Sequence, residues 1–260
     1  MPRKSGTLTL HSHMTHGALS MSDANSAFVL IHGGHQGSWF WERVVPLLDR
    51  PSLAVDLPGR GRHPAELNTV GVELSANSVL ADIEEADFDR VILVGNSIAS
   101  ATMPGVAAGL AGRVDRLVFL GTPVAVEGQT TMASFPQSVQ DIAATRIRTA
   151  GGATQTSDED RRFMSGNDMD DEQAEFLLTR TVPDSLRFFH EPITWRGVSR
   201  SLPRTYVRLL LDQALVVATQ DHMIANLRTT GDSVDVVDLD AGHCPMISNP
   251  AGVAAVLNAL

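Results

Sequence analysis

From Ala27 to the end of the chain, short runs rich in Val, Ile and Leu alternate with longer stretches whose apolar residues recur at three- and four-residue spacing. A strand buried on both faces reads as a nearly continuous apolar run, and joining it to a parallel neighbour takes a crossover, usually a helix. The alternation therefore predicts an α/β fold. The runs place strands at 27 to 32, 53 to 57, 90 to 95, 115 to 121, 204 to 211 and 233 to 239, a mostly parallel six-stranded sheet flanked by helices. Helices are expected at 38 to 49, 75 to 86, 97 to 111, 219 to 228 and 249 to 259, the third kinked by Pro104.

The alternation breaks from about Gly128 to Leu202, where acidic and Gly-rich loops separate short helical patterns. This interval reads as a helical cap over 128–202, inserted before the strand at 204 to 211, and 26–127 and 203–260 form the core. A chain of 260 residues with 43% hydrophobic content is long enough to bury one sizeable core around such a sheet. Aromatic and Met side chains of the cap, Phe163, Met164, Phe176, Phe188, Phe189 and Trp195, either seat it on the sheet or line a pocket beneath it. Residues 1–25 hold His11, His13 and His16 without any apolar period and read as a disordered or extension tail; no Cys and no adjacent acidic ligand accompanies these histidines to make a metal site.

The run Val91-Ile92-Leu93-Val94-Gly95 passes directly through Asn96 to Ser97 and then to Ile98-Ala99-Ser100. A serine on a sharp turn between a buried strand and a helix presents its hydroxyl above the sheet, and the close backbones there demand small residues two positions to either side. Gly95 meets this demand and Ala99 meets it less fully. The bland alternative for Ser97 is an N-cap. Three companions make it a candidate nucleophile. His243, in Leu239-Asp240-Ala241-Gly242-His243-Cys244-Pro245, follows the last strand and is the candidate general base. Asp212 follows the fifth strand and is preferred over Asp238 and Asp240 as the group orienting that base. His32-Gly33-Gly34 follows the first strand, and the backbone amides of Gly34 and Ile98 are the candidate oxyanion donors, Ile98 helped by a helix N-terminus. In Asp56-Leu57-Pro58-Gly59-Arg60-Gly61-Arg62, both arginines are expected to be solvated.

Charge and composition exclude other chemistries. Thirty acidic against twenty basic residues, a formal charge of −10, disfavour nucleic acid and anionic membranes, leaving a small, neutral, partly apolar substrate as the expected partner and a homodimer open. Lys4 is the only lysine, so Schiff-base chemistry in the core is set aside, and no cofactor or metal is expected. One cysteine, Cys244, forms no internal disulfide and is not expected to be a nucleophile. No secretory apolar segment follows the basic N-terminus and no run reaches the length of a membrane span, which makes the cytoplasm the expected location.

On the segments Phe28 to Trp41, Val55 to Gly61, Val91 to Ala99, Tyr206 to Met223 and Ala241 to Pro250, the chain resembles the α/β-hydrolase superfamily, in its compact branch of plant methyl-ester esterases, hydroxynitrile lyases and bacterial relatives. The resemblance implies an α/β-hydrolase fold. It also supports Asp212 through the following Gln220, Met223 and Ile224. Asn96 stands where that branch commonly has a histidine, and Ala99-Ser100 replaces its paired glycines. Its lyases carry a lysine after the catalytic histidine, where this chain has Cys244, so lyase activity is not expected. The expectation is a cofactor-independent serine esterase acting on a small ester or lactone. The alternatives are C–C bond hydrolysis or cofactor-free oxygenation on the same scaffold, or non-catalytic small-molecule binding.

Overall fold

The computed structural model describes residues 26–146, 148–150 and 153–260; the expected tail at 1–25 lies outside them. The first half builds β1 (Ala27–Ile31), β2 (Ser52–Val55), α1 (Val72–Glu85), β3 (Val91–Asn96), α2 (Met103–Gly109) and β4 (Val114–Leu120). Between β4 and the next core strand the chain carries α3 (Thr131–Ser134), α4 (Gln137–Arg146), β5 (Arg148–Ala150), β6 (Ala153–Gln155), α5 (Asp158–Ser165), α6 (Asp171–Arg180), β7 (Asp184–Ser185) and α7 (Arg187–His190). The core then resumes with β8 (Arg204–Leu209), α8 (Val217–Thr230), β9 (Asp235–Leu239), α9 (Pro245–Ser248) and α10 (Pro250–Asn258).

Six strands form one sheet in the order β2-β1-β3-β4-β8-β9, every neighbouring pair parallel. This is the expected α/β architecture, with its strands within three residues of the sequence-predicted bounds. Along β1, Phe28 and Leu30 join one buried cluster and Val29 and Ile31 the other. This alternation is the pleat of a strand covered on both faces, and it explains why the run contains no polar residue. Tyr206 and Phe119 pack with α1, α2 and α8 on one side, while Val118 and Val207 pack with α9 and α10 on the other. Because β2 leaves β1 toward one edge and β3 returns on the other side, the strand order reverses between β1 and β3. In open parallel sheets the crevice at the carboxyl ends of such strands is where ligands collect.

Two expected helices differ. The segment expected as one helix over 38 to 49 is two 3₁₀ turns, Ser38–Trp41 and Val45–Leu47. Pro46 lacks the N–H that an α-helical bond to the Glu42 carbonyl requires, so the longer helix cannot close there. The helix expected from 97 begins as a 3₁₀ turn over Ser97–Ala101 and becomes α-helical only at Met103–Gly109. Pro104 sits in the first turn of α2, where a missing N–H costs nothing. Among the described residues, no helix is long and apolar enough to cross a membrane.

Gly95 marks the closest passage of strand and turn. A Cβ on it would lie 2.5 Å from Met103 Sδ and 3.0 Å from Ala99 Cβ. Ala99 is itself fully buried, so its methyl group fills the gap that Gly95 leaves. Gly95→Ala is therefore expected to lower the unfolding free energy by about 1–3 kcal/mol, the usual cost of overpacking, read as a lower midpoint in urea at unchanged m-value.

Candidate active site

Four loops at the carboxyl ends of the strands bring the sequence-predicted residues together. Ser97 follows β3 with φ of 52°, a left-handed conformation that a non-glycine residue rarely takes. Its hydroxyl lies 3.0 Å from His243 Nε2 and donates to it. His243 follows β9, and its Nδ1–H donates to Asp212 Oδ2 at 2.7 Å. This places a protonated Nδ1 toward the carboxylate and leaves the Nε2 lone pair toward the serine.

Asp212 is 2% exposed, and burying a carboxylate is costly unless hydrogen bonds replace its water. Its other oxygen accepts the amides of Ala214 at 2.7 Å and Leu215 at 2.8 Å. Gln220 of α8 steadies the same loop, accepting the Leu209 amide at 2.8 Å and donating to the Leu209 and Leu215 carbonyls at 2.7 Å. The competing acids lie elsewhere: Asp238 pairs with Arg208 on the sheet edge, and Asp240 is exposed.

Two residues without an assigned role in the sequence brace this arrangement. Asn96 is fully buried and donates to the Leu120 carbonyl at 3.0 Å and the His243 carbonyl at 3.2 Å, tying the base loop to the sheet. Arg60, expected to be solvated, is 7% exposed and forms an ion pair with Asp184 of β7 at 2.6 Å. Its second nitrogen donates to the Gln36 carbonyl at 2.6 Å. Asp184 also accepts the His35 amide at 2.9 Å, so the loop carrying Gly34 is held from above by a residue about 150 positions away. A short polar motif cannot reveal such a partner, and this is why Arg60 reads as a surface residue in the sequence. Arg62, by contrast, is exposed, its side chain 57% accessible.

The protonation states follow from burial. Burial, with the Arg60 guanidinium beside it, pushes His32 down to about 4, so this ring stays neutral. Its Nε2 accepts the Leu57 amide at 3.1 Å and its Nδ1–H donates to the Gly33 carbonyl at 2.7 Å, making it a strut between β1 and β2 rather than a base. Burial pushes the Cys244 thiol far up, which keeps it protonated and unreactive. Burial alone would raise the Asp184 carboxyl, but Arg60, His35 and the hydrogen bonds from both outweigh it and hold Asp184 below the ordinary carboxylate value.

Ser97, His243, Gly34 and Ile98 border one cavity of about 220 Å³. Its remaining wall is mainly apolar, with Met132, Phe135, Phe188 and Phe189 from the interval between β4 and β8 and Leu215 from the Asp212 loop. Of the other aromatic residues of that interval, Phe176 meets Trp39 edge-on and Trp195 packs on Phe119, holding the interval to the core, whereas Phe163 is 54% exposed and does not border the cavity, contrary to expectation. The arrangement offers a hydroxyl hydrogen-bonded to an imidazole, a carboxylate hydrogen-bonded behind it, and a mainly apolar chamber in front.

Comparison with known proteins agrees with the fold. The model of the alpha/beta hydrolase family matches residues 28–256. Methylesterase 17 of Arabidopsis thaliana is 23% identical over 243 residues, covering 86% of this chain and 87% of the relative. The carbendazim hydrolyzing esterase of Nocardioides sp. (strain SG-4G) is 32% identical over 117 residues, 43% of this chain and 48% of the relative. Against Arabidopsis methylesterases 11 to 14 and 17, the chain spans between 55% and 87% of their length. A solved structure of a pyrethroid hydrolase from Sphingobium faniae JZ-2 superposes with a TM-score of 0.76 at 25% identity, covering 89% of this chain and 95% of that one.

The buried Arg60–Asp184 pair yields a stability prediction. Removing one partner strands the other charge, so Asp184→Ala is expected to cost about 3–5 kcal/mol, whereas Arg60→Met with Asp184→Leu should recover most of it. Since the Asp184 carboxyl is lowered on folding, its contribution is present above the ordinary carboxylate value and lost as pH falls through the lower folded value. Urea unfolding at pH 7 and through the acid range checks both statements.

Proposed function

The chain belongs to the alpha/beta hydrolase family, and on that premise we propose that it hydrolyses a small, uncharged carboxylic ester or lactone through an acyl-enzyme on Ser97. The observation that carries this reading is the unbroken hydrogen-bond chain from the Ser97 hydroxyl through His243 to the buried Asp212 carboxylate. It is an esterase-type enzyme in the coarse sense that its methylesterase and esterase relatives support.

In this mechanism Ser97 Oγ attacks the ester carbonyl as His243 Nε2 takes its proton, and Asp212 stabilises the imidazolium so formed. The developing oxyanion is met by the backbone amides of Gly34 and Ile98, donors of a kind each worth on the order of a hundred- to a thousand-fold in rate. Collapse expels the alkoxide, which takes the proton from His243 and leaves as the alcohol; for a lactone it stays tethered to the acyl group. Water, deprotonated by the same imidazole, then frees the acid and restores Ser97. The left-handed turn at Ser97 is what keeps its hydroxyl forward of the sheet, and strain of this kind, roughly 1–3 kcal/mol, is characteristic of functional positions.

We assign residues 128–202 the part of a cap. They supply most of the apolar wall of the cavity, and a chamber lined by Phe135, Phe188 and Phe189 favours an apolar acyl or alcohol group over a charged one. Asn96 and Ala99, the two departures from the related sequences, both serve the site, the first by hydrogen-bonding the base loop and the second by filling space above Gly95.

With p-nitrophenyl acetate and butyrate as probes, Ser97→Ala is expected to lower kcat by up to about a millionfold. Asp212→Asn, which forfeits the correct histidine tautomer, should lower it by about ten-thousandfold. Steady-state kinetics on variants with unchanged circular dichroism check this, and full activity in Ser97→Ala would remove the serine mechanism.

A further inference from the structure

The turn between α5 and α6 reaches down to both loops that carry the charge-handling residues of the site. Asn167 Nδ2 donates to the Leu211 carbonyl at 2.9 Å, immediately before Asp212. Its neighbour Asp168 accepts, through one oxygen, the Gly242 amide at 2.6 Å and the Ser248 hydroxyl at 2.7 Å. Gly242 immediately precedes His243, and Ser248 closes α9 just beyond it. Two adjacent side chains of the insert therefore grip the acid loop and the base loop from the same side.

Three features mark this as a built contact. First, Asp168 is clamped against its target: a Cβ on Gly242 would lie 2.4 Å from Asp168 Oδ1, so the backbone approaches the carboxylate as closely as only glycine permits. Second, Asp168 Oδ1 is buried and has no hydrogen-bond partner among the described residues. An acceptor stranded in this way is a cost, and the bonds of the other oxygen offset it. Third, the base loop has its opposite anchor in the core, where Asn96 holds the His243 carbonyl. The loop is thus held at Gly242 by the insert and at His243 by β3, on either side of the imidazole's own backbone.

We propose that Asn167 and Asp168 are positioning residues for the reaction, holding the Asp212 and His243 loops at the separation that the Ser97–His243–Asp212 hydrogen bonds require. The proposal rests on the esterase reading of this site. It makes seating of the insert a condition for aligning the imidazole, in addition to forming the cavity roof. Neither residue touches the cavity, so neither is expected to alter substrate binding.

The test uses the full chain. The downfield proton NMR signal of the His243 Nδ1–H in its bond to Asp212 reports the alignment without requiring turnover, and p-nitrophenyl acetate reports the rate. A displacement of about 1 Å at a catalytic group costs on the order of a hundredfold. Asp168→Ala is accordingly expected to broaden or abolish the signal and to lower kcat about ten- to a hundredfold, with KM changed less than about threefold. Asp168→Asn keeps an oxygen that accepts the same two hydrogen bonds, and should retain the signal and stay within about threefold of the parent kcat. Asn167 is exposed, so Asn167→Ala folds even where Asp168→Ala does not, and a smaller loss of kcat at unchanged KM is expected from it. An unchanged signal and kcat in both Ala variants overturns the proposal. So does an Asp168→Asn protein as impaired as Asp168→Ala, because charge and not hydrogen bonding would then carry the effect. A parent protein that shows the signal but no ester hydrolysis contradicts the esterase reading instead, and the NMR comparison among variants still decides the positioning role.

Discussion

Ser97 occupies a backbone conformation that L-residues avoid, and the surrounding structure has to hold it there. The central strand β3 supplies the rigid entry, buried on both faces and bonded along its length to β1 and β4. Ala99 and Met103 close the exit, both packed where a Cβ on Gly95 would stand. Three other strands of the sheet bring residues to this site from the loops that follow them: β1 Gly34, β8 the Asp212 carboxylate and β9 the His243 ring. The parallel sheet matters because it places all four carboxyl ends along one edge of the crevice, an outcome an antiparallel meander of these strands would not give.

The insert between β4 and β8 contributes in two distinct ways. Its apolar side chains wall the cavity, which is where shape and desolvation act. Its polar side chains reach past the cavity to the core loops: Asp184 to Arg60 and the His35 amide, Asn167 to the Leu211 carbonyl, Asp168 to the Gly242 amide. Apart from the Asp184–Arg60 pair, these bonds join a side chain to backbone, which gives them directional control of loops that lack ladder partners of their own. The buried Arg60–Asp184 pair is not evidence for stability in itself, since desolvation consumes much of the Coulomb gain. What the pair does is join the insert to the loop carrying Gly34, through the His35 amide on Asp184 and the Gln36 carbonyl on Arg60.

Much of the core was legible from the chain because it depends on local pattern. Apolar runs such as Phe28 to Ile31 and Val91 to Val94 can only be satisfied between two covered faces, and the residues directly after them had to emerge at the sheet edge. The pairing of Ser97, His243 and Asp212 could be anticipated for that reason. The helices at 38 to 49 and 97 to 111 were harder. Their apolar spacing is helical, but Pro46 and Pro104 remove amides, and the tight reversal at Ser97 leaves only a 3₁₀ turn before α2 begins. Arg60 reads as solvated in the sequence but is buried against Asp184, and Asn167, Asp168 and Asp184 carry no local signal at all. Their partners lie 44 to 149 residues away, so only the folded insert brings them into range.

The central claim is that the fold activates one hydroxyl, that of Ser97, out of all the serines in the chain. Intact-mass spectrometry after exposure to a fluorophosphonate tests this without knowledge of the natural substrate. The expected result is a single covalent adduct on the parent protein and none on Ser97→Ala. A folded parent protein that takes up no adduct, or a Ser97→Ala variant labelled to the same extent, would contradict it.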